Sequence, residues 1–250
     1  MILGEHCTRA CRFCAVKQGP LAPPDPGEPE RVRQMAERLK LRHVVVTSVT
    51  RDDLPDGGAQ AFVSTIQALK TLPQVSVEVL TPDFAGLLAP LLLVLHAQPH
   101  VFNHNLETVR RLQPQIRPQA DYMRSLEVLR EAAASRTGVR VKSGLMVGLG
   151  ETDEELREAL HDLVQAGCEY LTLGQYLAPS RAHEPVDRFV LPETFEQYRI
   201  MALKLGFKAV ASAPLVRSSY QAERMLTPPS GTSEAKISRQ TDFNLDIRNL

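Results

Sequence analysis

Six short runs of β-branched and aliphatic residues alternate with amphipathic stretches along this chain, and that alternation narrows the fold more than any other feature. The extended runs are His43–Ser48, Val75–Leu80, Val101–Asn105, Val139–Val147, Tyr170–Gln175 and Ala209–Ala213. Helical spacing of apolar residues fills the intervals, around Glu30–Lys40, Ala59–Leu69, Leu87–Leu95, Ser125–Ala134, Glu154–Ala166 and Thr194–Leu205. Thr152-Asp153-Glu154-Glu155 reads as a capping box, with Leu156, Leu160, Leu163 and Val164 sharing the face behind it. Such alternation predicts an α/β fold of parallel strands, because parallel neighbours need a long crossover and a helix supplies it. About six units suggest a barrel or partial barrel, although periodicity alone does not decide that. In such barrels chemistry gathers at the C-terminal ends of the strands. Thr47, Ser48, Asp83, Asn103, Asn105, Glu151 and Gln175 all fall there.

The chain has 250 residues, of which 43% are hydrophobic and 23% charged, enough to bury a substantial core. Basic and acidic residues both number 29, so the formal charge is zero and nothing calls for nucleic acid or an anionic membrane. The apolar run Leu87–Leu95 contains a proline and is too short to span a bilayer. No basic region followed by a long apolar stretch opens the chain, so a signal peptide is not expected and the cytoplasm is. Pro20–Pro29 reads as a surface loop. One folded unit is expected over 1–226, followed by a polar, flexible tail over 227–250.

Cys7, Cys11 and Cys14 sit near the start, separated by gaps of three and then two residues. One loop can wrap three thiolates at that spacing around a single metal centre. A structural zinc site usually takes four protein ligands, often as two separated pairs, and no second pair exists here. His6 stands beside Cys7, which makes simultaneous ligation awkward, and Cys168 is alone and reads as a small buried hydrophobe. The triplet therefore reads as a four-iron cluster with one iron left open, able to bind and reduce a small molecule. Other motifs are weaker. Gly57-Gly58 would let backbone approach a ligand, or is a simple turn. Gly144 to Glu151 is a strand running into a glycine turn. Asn103-His104-Asn105 would set two amides on one strand face, suited to ribose hydroxyls, and an imidazole on the other. Arg217-Ser218-Ser219-Tyr220 reads most simply as a serine-capped helix start.

Together these segments resemble the radical S-adenosylmethionine (SAM) enzymes, and within them the lipoyl synthase family. The resemblance runs from Met1 to about Ala222. It rests on Met1-Ile2-Leu3-Gly4, the cysteine triplet, Thr47 to Leu54 with Asp56-Gly57-Gly58-Ala59, Asn103 to Thr108, Lys142 to Thr152, Gly174 to Leu177 with Pro179-Ser180, and Arg217 to Tyr220. It implies a partial (β/α) barrel of radical SAM type. A [4Fe-4S] cluster on Cys7, Cys11 and Cys14 would bind SAM and cleave it to methionine and a 5′-deoxyadenosyl radical. That radical would take hydrogen from an octanoyl chain carried on a lipoyl carrier domain, and two sulfur atoms would follow. Phe13 would sit near the cofactor, Gly57 and Gly58 would line its methionine end, and Asn103 and Asn105 its ribose side. An electron donor such as flavodoxin or ferredoxin is implied.

The family also carries a second, auxiliary [4Fe-4S] cluster on a cysteine triplet upstream of the first, completed by a serine that corresponds to Ser219. Only six residues precede Cys7 here. As written, the chain is expected to cleave SAM without inserting sulfur by itself. The alternatives are a divergent radical SAM enzyme with another reaction, and a non-catalytic metal-binding module.

Overall fold

The computed structural model describes residues 1–220 and 222–225. Six strands form one parallel sheet in the order β1-β2-β3-β4-β5-β6. They are β1 His43–Thr47, β2 Ser76–Leu80, β3 Val101–Asn103, β4 Arg140–Val147, β5 Tyr170–Gln175 and β6 Ala209–Ser212. Sequential strands are neighbours throughout and β1 does not pair with β6, so the curved sheet stays open. Helix α1 Glu28–Arg38 precedes β1, and between the strands run α2 Ala59–Lys70, α3 Leu88–His96, α4 Gln113–Ile116, α5 Tyr122–Ala134, α6 Asp153–Gln165 and α7 Pro192–Leu205. This is the expected α/β partial barrel. The boundary at 226 and the tail 227–250 lie outside the described residues.

The central strands are buried on both faces, polar residues included. Every residue of β5 is buried, and six of the eight in β4 are, as a sheet covered by helices outside and side chains inside requires. The capping box at α6 forms as expected, Thr152 Oγ1 accepting from Glu155 N and the Glu155 carboxylate accepting from Thr152 N. Two boundaries move. Helix α1 begins at Glu28, inside the expected proline loop, because Pro29 lies in its first turn, where no backbone donor is needed. Strand β3 ends at Asn103, two residues early, because His104 and Asn105 turn toward the cavity described below. Among the described residues no helix is long and apolar enough to cross a membrane.

The first residues join the barrel rather than trailing from it. Ile2 N donates to the Thr47 carbonyl at 2.7 Å and forms a parallel bridge with Ser48. Leu3 packs where α2 begins. At Gly58, with φ +88°, an added Cβ would lie 2.4 Å from Leu3 Cδ1. Glycine is required there twice over, for the left-handed backbone and for the approach of Leu3.

The barrel interior is polar at one level. Glu78 of β2 and Lys142 of β4 pair at 2.8 Å with both side chains 1% exposed. Asn103 Nδ2 donates to the same Glu78 oxygen at 3.1 Å, and His43 Nε2 lies 3.6 Å from the other. Burial works against ionisation of Glu78, but these neighbours prevail and hold its carboxyl below the usual range.

Candidate active site

The cysteine loop lies across the C-terminal ends of the first strands, tied there by backbone and side chains. Cys7 N donates to Lys17 O, Thr8 N to Thr50 O, and Arg12 N to Ile116 O, at 2.9–3.0 Å. Arg9, inside the triplet, is buried and grips two carboxylates. Its guanidinium makes a bidentate pair with Asp52 at 2.8 Å and reaches Asp83 at 2.6 Å. Arg124 of α5 takes the other Asp83 oxygen at 2.8 Å. Burial alone would raise the Asp83 carboxyl. Bonds and charge from Arg9, with charge from Arg124, hold it far below its ordinary value. Gln119 closes the loop's far side, accepting from Ala10 N at 2.6 Å.

Held this way, Cys7, Cys11 and Cys14 all line one cavity of about 250 Å³. Among the described residues no three His, Cys, Asp or Glu side chains are gathered closely enough to hold one metal ion. A cluster imposes a different demand from a lone ion, since each sulfur meets a separate iron and the thiolates stand further apart. Cys7 Sγ accepts from Thr50 N at 3.3 Å and Arg9 N at 3.4 Å, a pattern suited to a sulfur carrying negative charge. Burial pushes the Cys11 and Cys14 thiols up, opposed by the Arg117 charge at Cys11 and a backbone bond from Val16 at Cys14. A bound cation reverses that balance, because coordination itself deprotonates a thiol.

Five of the residues lining the rest of the cavity carry a buried polar atom without a partner. Ser48 Oγ, Thr81 Oγ1, His104 Nε2, Asn105 Oδ1 and Arg117 Nε are buried and unbonded, and all five residues line it. Native interiors leave few such atoms, so five around one cavity fit a polar ligand. The state of His104 follows from its surroundings. Burial, then the charge on Arg117, pushes it down to about 4, so the ring is neutral near pH 7. Its Nδ1 lies 2.9 Å from the Thr81 carbonyl, which can only accept. Nδ1 therefore carries the proton and Nε2 presents a bare lone pair. Arg117 donates to the Asn105 and Leu106 carbonyls at 3.3 and 3.1 Å, leaving Nε free. Glu107 also lines the cavity, its carboxyl pushed up by burial against the pull of Arg117.

Not every expected residue stands here. Phe13 and Asn105 line the cavity. Gly57, Gly58 and Asn103 are not among its lining residues. An added Cβ at Gly57 would meet Phe84 at 3.0 Å, Gly58 accommodates Leu3, and Asn103 bonds Glu78 inside the barrel. Asn103 and Asn105 do not share a strand face, because β3 ends between them. Arg217 to Tyr220 is a turn, closed by Tyr220 N to Arg217 O at 2.8 Å, and a short 3₁₀ helix, Ala222–Met225, follows it. Of its serines, Ser218 lines a second cavity of about 130 Å³ and Ser219 does not. Cys168 is buried, with its thiol pushed up by desolvation, as a structural cysteine should be. His104, Thr81 and Arg117 were missed, since nothing in their local sequence marks a buried group without a partner. A larger groove of about 620 Å³ between α5, α6 and α7 lies on the outer helical layer, remote from the thiols.

Comparison with known proteins bears on this geometry. A family model described as the radical SAM superfamily matches residues 1–163. The chain is 56% identical over 223 residues to lipoyl synthase of Caldanaerobacter subterraneus subsp. tengcongensis, covering 89% of this chain and 78% of that protein. It is 58% identical over 226 residues to lipoyl synthase of Methylococcus capsulatus, covering 90% and 70%. Among solved structures, Streptococcus suis SuiB bound to S-adenosylmethionine superposes with a TM-score of 0.66 at 10% identity, over 84% of this chain and 48% of that one. Methylornithine synthase (PylB) gives 0.61 at 14% identity, over 97% and 76%. At those identities the structures speak for the fold alone.

Proposed function

The chain belongs to the lipoyl synthase family within the radical SAM superfamily, and from that premise we propose how its residues serve the reaction. That reaction inserts sulfur into a protein-bound octanoyl group to make the lipoyl cofactor. One observation carries our reading of the site. Three thiols and five buried polar atoms without partners surround a single cavity at the C-terminal strand ends.

Cys7, Cys11 and Cys14 would hold a [4Fe-4S] cluster and leave one iron without a protein ligand. Bound there, the cluster supplies the electron that splits SAM. The cavity's own groups suit the ends of that molecule. Arg117 Nε offers a charged donor to a carboxylate. His104 Nε2 and Asn105 Oδ1 can only accept, and so match an ammonium and ribose hydroxyls. Ser48 and Thr81 can serve either way. Phe13, half-buried within the loop, shields one side of the thiols from water. Gly57 and Gly58 act at one remove, by seating Phe84 and Leu3. Asn103 acts through Glu78 and Lys142.

We assign the octanoyl group to a lipoyl carrier domain and the electron to a flavodoxin or ferredoxin. A second cluster does not fit the residues present. The chain has four cysteines, three on one loop and Cys168 buried in the core, and neither Ser219 nor any other serine has a second set of thiols to complete.

The test uses anaerobically reconstituted protein with SAM, a strong reductant and an octanoyl-lysyl peptide deuterated along its chain. Deuterium should appear in the 5′-deoxyadenosine released. Product free of deuterium, or formed equally without the peptide, would overturn the assignment of this substrate.

A further inference from the structure

Two donors from the barrel interior converge on one residue near the end of the described chain. Lys142 Nζ donates to the Ser218 carbonyl at 2.6 Å. Asn105 Nδ2 donates to the Ser218 hydroxyl at 2.7 Å across 113 residues of sequence. Lys142 is 1% exposed and Asn105 is 8% exposed. An ammonium group has three donors and the pair with Glu78 uses one, so the bond to Ser218 is a separate commitment of a buried charge.

Asn105 faces both ways. It lines the cavity that holds the thiols and also the smaller one that holds Ser218. Its amide nitrogen is engaged by Ser218, while its oxygen has no partner. The surroundings make room for this carboxamide. An added Cβ at Gly144 would stand 2.8 Å from Asn105 Oδ1 and 2.6 Å from Thr172 Oγ1. A planar carboxamide cannot turn one end without the other. A ligand hydroxyl on Oδ1 therefore fixes the plane that aims Nδ2 at Ser218.

We propose that Lys142 and Asn105 are positioning residues that latch the 217–220 turn onto the cofactor cavity, so that SAM in the cavity and closure of the turn strengthen each other. The proposal rests on the reading that SAM occupies this cavity. Linkage makes the coupling reciprocal: whatever factor SAM adds to closure, closure adds to SAM affinity.

Ser218→Ala removes the hydroxyl and leaves the Lys142 bond to the carbonyl. In reconstituted protein it should speed amide exchange in a peptide spanning 213–220 by roughly five- to tenfold, the scale of one net hydrogen bond. It should also weaken SAM binding several-fold. SAM should slow exchange of that peptide in the parent but not in Ser218→Ala, and Ser218→Thr should restore both properties. Unchanged exchange in Ser218→Ala overturns the latch. Faster exchange with unchanged SAM affinity overturns the coupling, as does a Ser218→Thr protein that restores neither. Failure of the parent to bind SAM, with exchange still faster in Ser218→Ala, overturns the reading of the cavity and with it the coupling, while the latch itself stands.

Discussion

Cys11→Ala should leave the reconstituted protein almost colourless and lower SAM cleavage by on the order of 10³-fold or more. Loss of a partner that merely orients a ligand costs about 10–100-fold in metal affinity or activity, and a ligand must cost more. Cys7→Ala and Cys14→Ala should match it, because each thiol lines the same cavity and a cluster on two anchors has no fixed orientation. Cys168→Ala is the internal contrast. That thiol is buried away from the loop, so its loss should leave colour and cleavage intact at a stability cost of about 1 kcal/mol. Iron content, visible absorbance and released 5′-deoxyadenosine measure all four variants. Parent-like iron and cleavage in any one of the triplet variants would remove that cysteine from the ligand set.

Lys142→Met should destabilise the fold by about 3–5 kcal/mol, because it strands the Glu78 carboxylate in the barrel interior. For a chain of this size that lowers Tm by roughly 10 °C. Neither side chain of the pair is more than 1% exposed, so water cannot take over for the lost ammonium. The penalty belongs to the abandoned charge more than to the bond. Lys142→Met with Glu78→Gln should therefore be at least about 2 kcal/mol more stable than Lys142→Met alone, since the amide oxygen can still accept from Asn103. Thermal unfolding of the two singles and the double closes the cycle. Losses that simply add would show that the two charges do not act as a pair.

The strands and most helices were legible because their signals are local. Tyr170–Gln175 matches β5 residue for residue, and the α6 cap needs only Thr152 and Glu155. Helix α4 was not legible, since four residues make too little of a period. The cysteine loop was legible from spacing alone. Its setting was not: Arg9 finds Asp83 across 74 residues, and Asn105 finds Ser218 across 113. The glycine pair takes positive φ at both residues and seats Phe84 and Leu3, contacts between separate segments that no local pattern announces. The asparagines were misplaced by assuming two more residues of strand. In each case the deciding quantity was burial of a polar atom, or a contact between distant segments, and neither has a local pattern.

A cluster on the three cysteines would turn a vacant coordination position toward a cavity whose polar atoms suit SAM. Electron paramagnetic resonance of the reduced, reconstituted protein tests it most directly. A reduced four-iron signal should appear and change shape when SAM is added, and Arg117→Ala should need more SAM to produce the same change. A cluster signal indifferent to saturating SAM, or no iron retained by the three cysteines, would contradict it.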